Sequence, residues 1–194
     1  MFLQRVNFQP VSHSASKFDA SVLCRLFQSL FLDQHRTQLV GGASEPLYQP
    51  AKTTNEPHCI YFTQDYFASA LHEVAHWCIA GPQRRQKTDY GYWYVPDGRD
   101  VDQQRAFEQV EVKPQALEWI FCVAAGFRFR ISADNLNGAG QVSDDFKRAV
   151  WQQTQTFCTQ VMPISAVVFA NSLSVTFGGK KYDEKSSYLL EDLF

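Results

Sequence analysis

The sequence lacks the paired cysteines that a disulfide framework or a cysteine-ligated zinc site would need. Its five cysteines are odd in number, widely spaced and contain no CxxC pair. Three of them, Cys78, Cys122 and Cys158, stand among apolar neighbours, which is typical of buried free thiols in a reducing compartment. We therefore expect free cysteines, and a metal ion would have to be bound by other residue types.

Strong charge of either sign is also missing. The formal net charge is −2, and the sequence pI is about 6.2. Proteins that bind nucleic acid or acidic membranes through their overall field are usually strongly basic. We therefore expect no stable nucleic-acid partner.

Long hydrophobic runs are absent as well. No stretch approaches the roughly 18 apolar residues that a membrane-spanning helix needs. The first residues, Met1-Phe2-Leu3-Gln4-Arg5, do not resemble a signal peptide. We expect a cytoplasmic protein that has no membrane partner.

The sequence contains no internal repeat, low-complexity tract or clear linker. A chain of 194 residues is close to the size of one compact domain. We expect a single domain over residues 1–194, with loose termini at 1–16 and 178–194.

Hydrophobic periodicity predicts a helix-rich α+β fold with a small sheet. Helical spacing is found over residues 17–36, 66–80, 102–112, 114–126, 143–161 and 163–176. Short extended segments are predicted at 47–50, 59–62, 92–95 and 127–131. Gly41-Gly42 is interpreted as a break, and Pro114 as the first turn of the fourth helix.

The segment His72-Glu73-Val74-Ala75-His76 carries the clearest chemical signal. Histidines four residues apart on a helix project from one face, so both imidazoles can reach one metal ion. Glu73 is rotated away from them and can lie beside the metal without binding it. In metalloproteases this glutamate is the general base.

The alternative interpretation is a pair of surface histidines beside a solvated glutamate. The neighbouring residues argue against it, because Leu71, Val74, Trp77 and Ile79 make the helix apolar on nearly every side. Such a helix is buried, and buried imidazoles without partners would be costly. We favour the metal site.

Two histidines do not complete a metal site, and carboxylates further along the chain are the best candidates for a third ligand. Glu108 and Glu111 lie three residues apart on the next predicted helix. Glu111 stands between two valines and is the stronger candidate; Glu108 is the alternative. Asp97 and Asp100 rank lower, because turn residues usually serve the backbone.

Two histidines and one carboxylate leave coordination positions open. The set suits a Zn(II) hydrolase, either a peptidase or a nuclease, with Glu73 as its base. It equally suits non-haem Fe(II) oxygen chemistry. Spacing alone does not separate the two.

The recognisable sequence pattern around these residues extends well beyond the HExxH motif. The motifs are residues 66–81, Arg84-Arg85, 89–94, 96–100, Phe107-Glu108 and 110–117. Together they resemble the bacterial elongation factor P hydroxylase family, over about residues 41–135.

This resemblance implies a non-haem iron enzyme that uses O2 as co-substrate. Its protein substrate would be elongation factor P, on the lysine that already carries a β-lysyl group. The resemblance also implies His72 and His76 as metal ligands, Glu111 as the carboxylate, and a supporting role for Glu73. The implied fold is similar to that of a small metal-dependent ribonuclease of rRNA maturation.

The substrate side chain would be cationic, and aromatic faces and carboxylates suit a cation. The candidates for binding it are Tyr90, Tyr92, Trp93, Asp97 and Asp100. Tyrosine-rich segments also serve ordinary packing, so these residues form the weaker part of the hypothesis.

Overall fold

A computed structural model describes residues 17–91, 99–133 and 142–194 of the chain. The first element is helix α1, Ala20–His35, which begins where the Asp19 side chain accepts a hydrogen bond from Ser21 N. It buries Leu23, Phe27 and Phe31, which recur every four residues along one face. The helix ends at Arg36, which adopts a left-handed conformation (φ 49°).

A three-stranded sheet follows, in the order β1-β3-β2. Strand β1 is Thr37–Ala43, β2 is Leu47–Gln49 and β3 is His58–Thr63. Strand β3 pairs in parallel with β1 and antiparallel with β2. Its alternating pattern buries Ile60 and Phe62 on the core side.

The four longer helices after the sheet build the rest of the molecule. They are α2 (Phe67–Ile79), α3 (Val101–Ala125), α4 (Asp144–Phe157) and α5 (Ile164–Phe177). Helix α3 is central, because it contacts α2, α4 and α5, while α2 also contacts β3. Aromatic rings from three helices meet in the core, where Phe27 and Phe31 contact Trp77 and Phe169.

The predicted helix-rich α+β class is confirmed. All five cysteines lie in the described residues and are free, as expected. In the described ranges, no helix combines the length and the apolar character that crossing a membrane requires.

The prediction of two helices around Pro114 is wrong. Helix α3 runs continuously through this proline, which is buried. Proline removes the bond to the carbonyl four residues earlier, that of Val110, and Val110 is exposed to water. Packing against three neighbouring helices stabilises the continuous form.

Two further predictions about local structure are wrong. Gly41 and Gly42 lie inside β1, where Gly42 has a φ of 84°. A side chain at Gly41 would come within 2.8 Å of the Phe62 ring. The described residues 127–131 form no regular element rather than a strand. The predicted strand 92–95 lies outside the described residues.

The tail after α5 is packed against the body, in contrast to the loose terminus that we expected. Lys180 N donates a hydrogen bond to the Val123 carbonyl, 3.0 Å away. Gly179 lies so close to the Ala124 carbonyl that no side chain fits there. Tyr188 and Leu193 are buried, and the Tyr188 ring contacts Trp119. Residues 1–16 lie outside the described ranges.

Candidate metal centre

Helix α2 holds the two histidines because its other faces are buried. Seven of its side chains are in the core: Phe67, Ala70, Leu71, Val74, Ala75, Trp77 and Cys78. His72 and His76 lie on the remaining face, one turn apart, and are 26% and 14% exposed. Both histidines are therefore partly accessible on a helix that is mostly buried.

Helix α3 presents a polar face to these histidines. It begins with a capping box, in which the Asp100 side chain accepts from Gln103 N and the Gln103 side chain accepts from Asp100 N. Glu111, Gln115 and Glu118 follow at helical intervals of four and three residues and are all buried. Their common face requires α3 to remain helical through Pro114.

The donor atoms of three residues converge. Nε2 of His76 lies 3.1 Å from Nε2 of His72 and 3.1 Å from Oε1 of Glu111. Nε2 of His72 lies 3.5 Å from Oε2 of Glu111. The ligating atoms of these three residues all lie within 4.8 Å of one another, so they could hold one metal ion.

A metal ion would also satisfy an acceptor that the protein itself leaves without a donor. Among the described residues, Oε2 of Glu111 has no hydrogen-bond partner, although the residue is only 1% exposed. A buried carboxylate oxygen in this state is costly unless a cation approaches it. Two imidazole nitrogens and a carboxylate are donors suited to Fe(II) or Zn(II). The residues therefore fit a divalent metal.

The protonation of the group reflects close opposite charges. Burial alone would lower the pKa of His72, but the hydrogen bond to Glu118 and the charges of Glu111 and Glu118 raise this pKa to about 10. Burial would raise the pKa of Glu111, but the His76 and His72 charges lower it to about 2. The metal-free site therefore favours a protonated His72 beside an ionised Glu111.

Glu73 lies beside the group in an acidic setting. Burial raises the pKa of its carboxyl, and the charges of Glu111 and Asp89 add to this rise, against His72 and His76. Asp89 is placed by strand β2, because its side chain accepts from Tyr48 N at 3.3 Å. Glu73 can thus hold or release a proton next to His72, His76 and Glu111.

Glu108, the alternative third ligand, is engaged elsewhere. Its two carboxylate oxygens accept from Ser143 N at 3.3 Å and from Ser143 Oγ at 2.7 Å. Ser143 caps the start of α4. Glu108 therefore joins α3 to α4, and the geometry favours Glu111 as the third donor.

The candidate substrate residues are only partly covered by the described ranges. Tyr92, Trp93 and Asp97 lie outside them, and Tyr90 belongs to the short helix Thr88–Gly91. Asp100 is exposed and caps α3 rather than joining the histidine group.

One residue that sequence reasoning underrated is Glu118. It is not singled out as a site residue from the sequence, yet it is buried and its Oε2 lies 2.8 Å from Nδ1 of His72. The signal was its spacing of seven residues from Glu111, which places both on one helix face. The assumed break at Pro114 hid this relation.

Comparison with known proteins agrees with the resemblance. Residues 26–187 match the family model described as elongation factor P hydroxylase. The chain is also 47% identical, over 148 residues, to the elongation factor P lysine hydroxylase of Haemophilus influenzae. That alignment covers 76% of this chain and 83% of the relative.

Proposed function

The chain belongs to the elongation factor P hydroxylase family, and we propose that it hydroxylates the β-lysyl-modified lysine side chain of elongation factor P. The observation that carries this proposal is the family match over residues 26–187, which includes both helices of the metal group. The name of the Haemophilus influenzae relative, elongation factor P lysine hydroxylase, agrees with it. A zinc-dependent hydrolase is not favoured, because both comparisons name hydroxylases.

We assign the metal-binding role to His72, His76 and Glu111. Support comes from their convergent donor atoms and from the buried Glu111 oxygen that has no hydrogen-bond partner among the described residues. Fe(II), when held by this set, would supply the O2 activation that inserting one oxygen atom into a C–H bond requires. His72, His76 and Glu111 would hold the ion as its protein donors.

The residues around the metal ligands would supply a proton and exclude bulk water. Glu73 is assigned to hold or deliver a proton at its carboxylate, beside the metal ligands. Its burial and acidic neighbours, which raise its pKa, support this role. Leu71 and Ala75, which precede the two histidines in the chain, are fully buried, so bulk water is excluded on the inner side of the helix that carries the ligands.

The substrate chain is cationic, so aromatic and acidic residues are suited to bind it. We assign this role to the segment after α2, with Tyr90, Tyr92, Trp93 and Asp97 as the residues to test, while Asp100 at its end caps α3. The assignment follows from their chemistry and from their position in the chain between the two helices of the metal group.

The test is an aerobic reaction of the purified protein with β-lysylated elongation factor P. Metal-free protein is loaded with Fe(II) or, as the matched control, with Zn(II), and a chemical reductant supplies the two electrons that reduce the second oxygen atom to water. We expect the Fe(II) sample to increase the mass of the substrate by one oxygen atom, and the Zn(II) sample to leave it unchanged. An unchanged mass with Fe(II), or cleavage of the substrate with Zn(II), would refute the proposal.

A further inference from the structure

We propose that Glu118 is a positioning residue for the metal centre: its carboxylate holds the His72 imidazole so that Nε2 faces the metal. This inference rests on the ligand set assigned under the proposed function. Glu118 itself does not belong to the group of donors that could hold the ion.

The contact fixes which nitrogen of His72 is free. Oε2 of Glu118 lies 2.8 Å from Nδ1 of His72, and the Glu118 side chain is only 9% exposed. An ionised carboxylate only accepts hydrogen bonds, so Nδ1 must carry the proton. Nε2 of a neutral His72 then keeps its lone pair for a metal ion.

The other nitrogen points into the donor group. Nε2 of His72 lies 3.1 Å from Nε2 of His76 and 3.5 Å from Oε2 of Glu111. The imidazole therefore lies between two carboxylates, with Glu118 behind it and Glu111 on the metal side. Rotating or flipping the ring would break the contact with Glu118 and turn Nε2 away from the group.

Helix geometry explains how one helix supplies both carboxylates. Glu111 and Glu118 are seven residues apart, which is close to two turns of helix, so they lie on the same face of α3. This face packs on α2, whose His72 and His76 are one turn apart. The continuity of α3 through Pro114 is therefore needed for Glu118 to reach His72.

A purely structural ion pair between Glu118 and a protonated His72 is the competing explanation. It would stabilise the metal-free, protonated site, and because a metal ion must displace a proton from His72, removing this ion pair would leave the metal affinity equal or higher. The two explanations predict different metal affinities when Glu118 is removed and different tautomers of His72 in the metal-loaded protein. Neither measurement depends on hydroxylation.

The first experiment titrates metal-free wild type, Glu118→Ala and Glu118→Gln with Co(II) under anaerobic conditions. We expect Glu118→Ala to bind Co(II) about 10–100-fold more weakly, which is the usual effect of removing a carboxylate behind a ligating histidine. Glu118→Gln should lose less, because its amide oxygen can still accept from Nδ1. The matched control, Glu108→Gln, changes a buried glutamate of the same helix that contacts Ser143 and should bind Co(II) like wild type.

The second experiment records the imidazole signals of the Zn(II)-loaded wild type by NMR. We expect His72 to carry its proton on Nδ1, protected from exchange with water, and Glu118→Ala to lose that protection. A Co(II) affinity of Glu118→Ala equal to or higher than that of wild type, or a His72 proton on Nε2 in the Zn(II) protein, would overturn the proposal. If Glu118→Ala does not fold, Glu118→Gln and the wild-type tautomer still decide it.

The outcomes also separate this inference from the proposed function. Metal binding that weakens in Glu118→Ala, in a protein that leaves elongation factor P unmodified, would support Glu118 and refute the hydroxylase. Hydroxylation of elongation factor P, together with an unchanged metal affinity in Glu118→Ala, would support the hydroxylase and refute the role of Glu118.

Discussion

Helices α2 and α3 both face the candidate metal centre, but they contribute to it in opposite ways. Helix α2 is short and largely apolar, and its two histidines are partly accessible, at 26% and 14% side-chain exposure. Helix α3 is 25 residues long and buries its carboxylates, with Glu111 at 2% and Glu118 at 9% side-chain exposure. The histidines thus form the accessible side of the centre, and the carboxylates form its buried floor.

This difference between the two helices predicts which property a substitution on each helix should change. A change on α2 removes a donor from the accessible side, where metal and substrate arrive. A change on α3 leaves a buried space or an unpaired partner, so it also affects folding. Five tests examine this division, from the largest expected effect to the smallest.

The largest effect is expected from His72→Ala and His76→Ala. Each removes a metal donor from α2, so metal binding and hydroxylation should be abolished together. Calorimetric titration with Co(II) and the mass of the elongation factor P product measure the two losses. A variant that binds metal normally would remove that histidine from the ligand set.

The next comparison is between two glutamates of α3. Glu111→Ala should abolish metal binding, whereas Glu108→Ala should retain it and lower the free energy of unfolding by about 1–2 kcal/mol, through loss of the Ser143 contact. Metal titration and chemical denaturation of both variants provide the measurements. The reverse pattern would make Glu108 the ligand.

Glu73→Gln tests the role of the residue between the histidines. If Glu73 only holds or delivers a proton beside the metal, we expect full metal binding and a loss of activity below about tenfold. A hydrolase that used Glu73 as its general base would lose about 10²–10⁴-fold. The measurement is the initial rate of product formation at full metal loading, and a loss in the larger range would contradict the supporting role.

Metal affinity should rise with pH. The pKa of His72 is raised to about 10 in the metal-free protein, and the pKa of Glu111 is lowered to about 2. Below pH 10 a metal ion must therefore displace a proton from His72, while Glu111 is already ionised. One displaced proton predicts an affinity that rises about tenfold per pH unit. Calorimetry in two buffers of different ionisation enthalpy counts the proton, and a pH-independent affinity would contradict the charge arrangement.

The smallest effect is expected from Asp100→Asn, at the start of α3. Asparagine also caps helices well, so stability should change by only a few tenths of a kcal/mol. If Asp100 acts only as a helix cap, the KM for β-lysylated elongation factor P should not change. A raised KM with unchanged stability would instead assign its charge to substrate binding.

The sequence predicts those parts of the site that depend on the spacing of residues within one helix. His72 and His76 follow from a spacing of four residues on one apolar helix, and no distant part of the chain is needed to find them. The choice of Glu111 over Glu108 rested on its neighbouring valines, and the geometry favours it because only Glu111 reaches both histidines.

The parts that were missed depend on tertiary contacts. A local rule predicts a helix break at Pro114, but packing against α2, α4 and α5 keeps α3 continuous. That continuity brings Glu118 to His72, which no short-range pattern indicates. Gly41 and Gly42 likewise look like a break, although Val40 and Ala43 on either side pair with β3, and the glycines lie at the register shift between them.

The most direct test of the account uses O2 labelled with a heavy oxygen isotope. Fe(II)-loaded wild type and the Glu111→Ala variant are each incubated with β-lysylated elongation factor P, and the intact mass of the product is measured. The account predicts that wild type adds one labelled oxygen atom to the modified lysine and that the variant adds none. Unmodified substrate with the metal-loaded wild type, or equal labelling by Glu111→Ala, would contradict it.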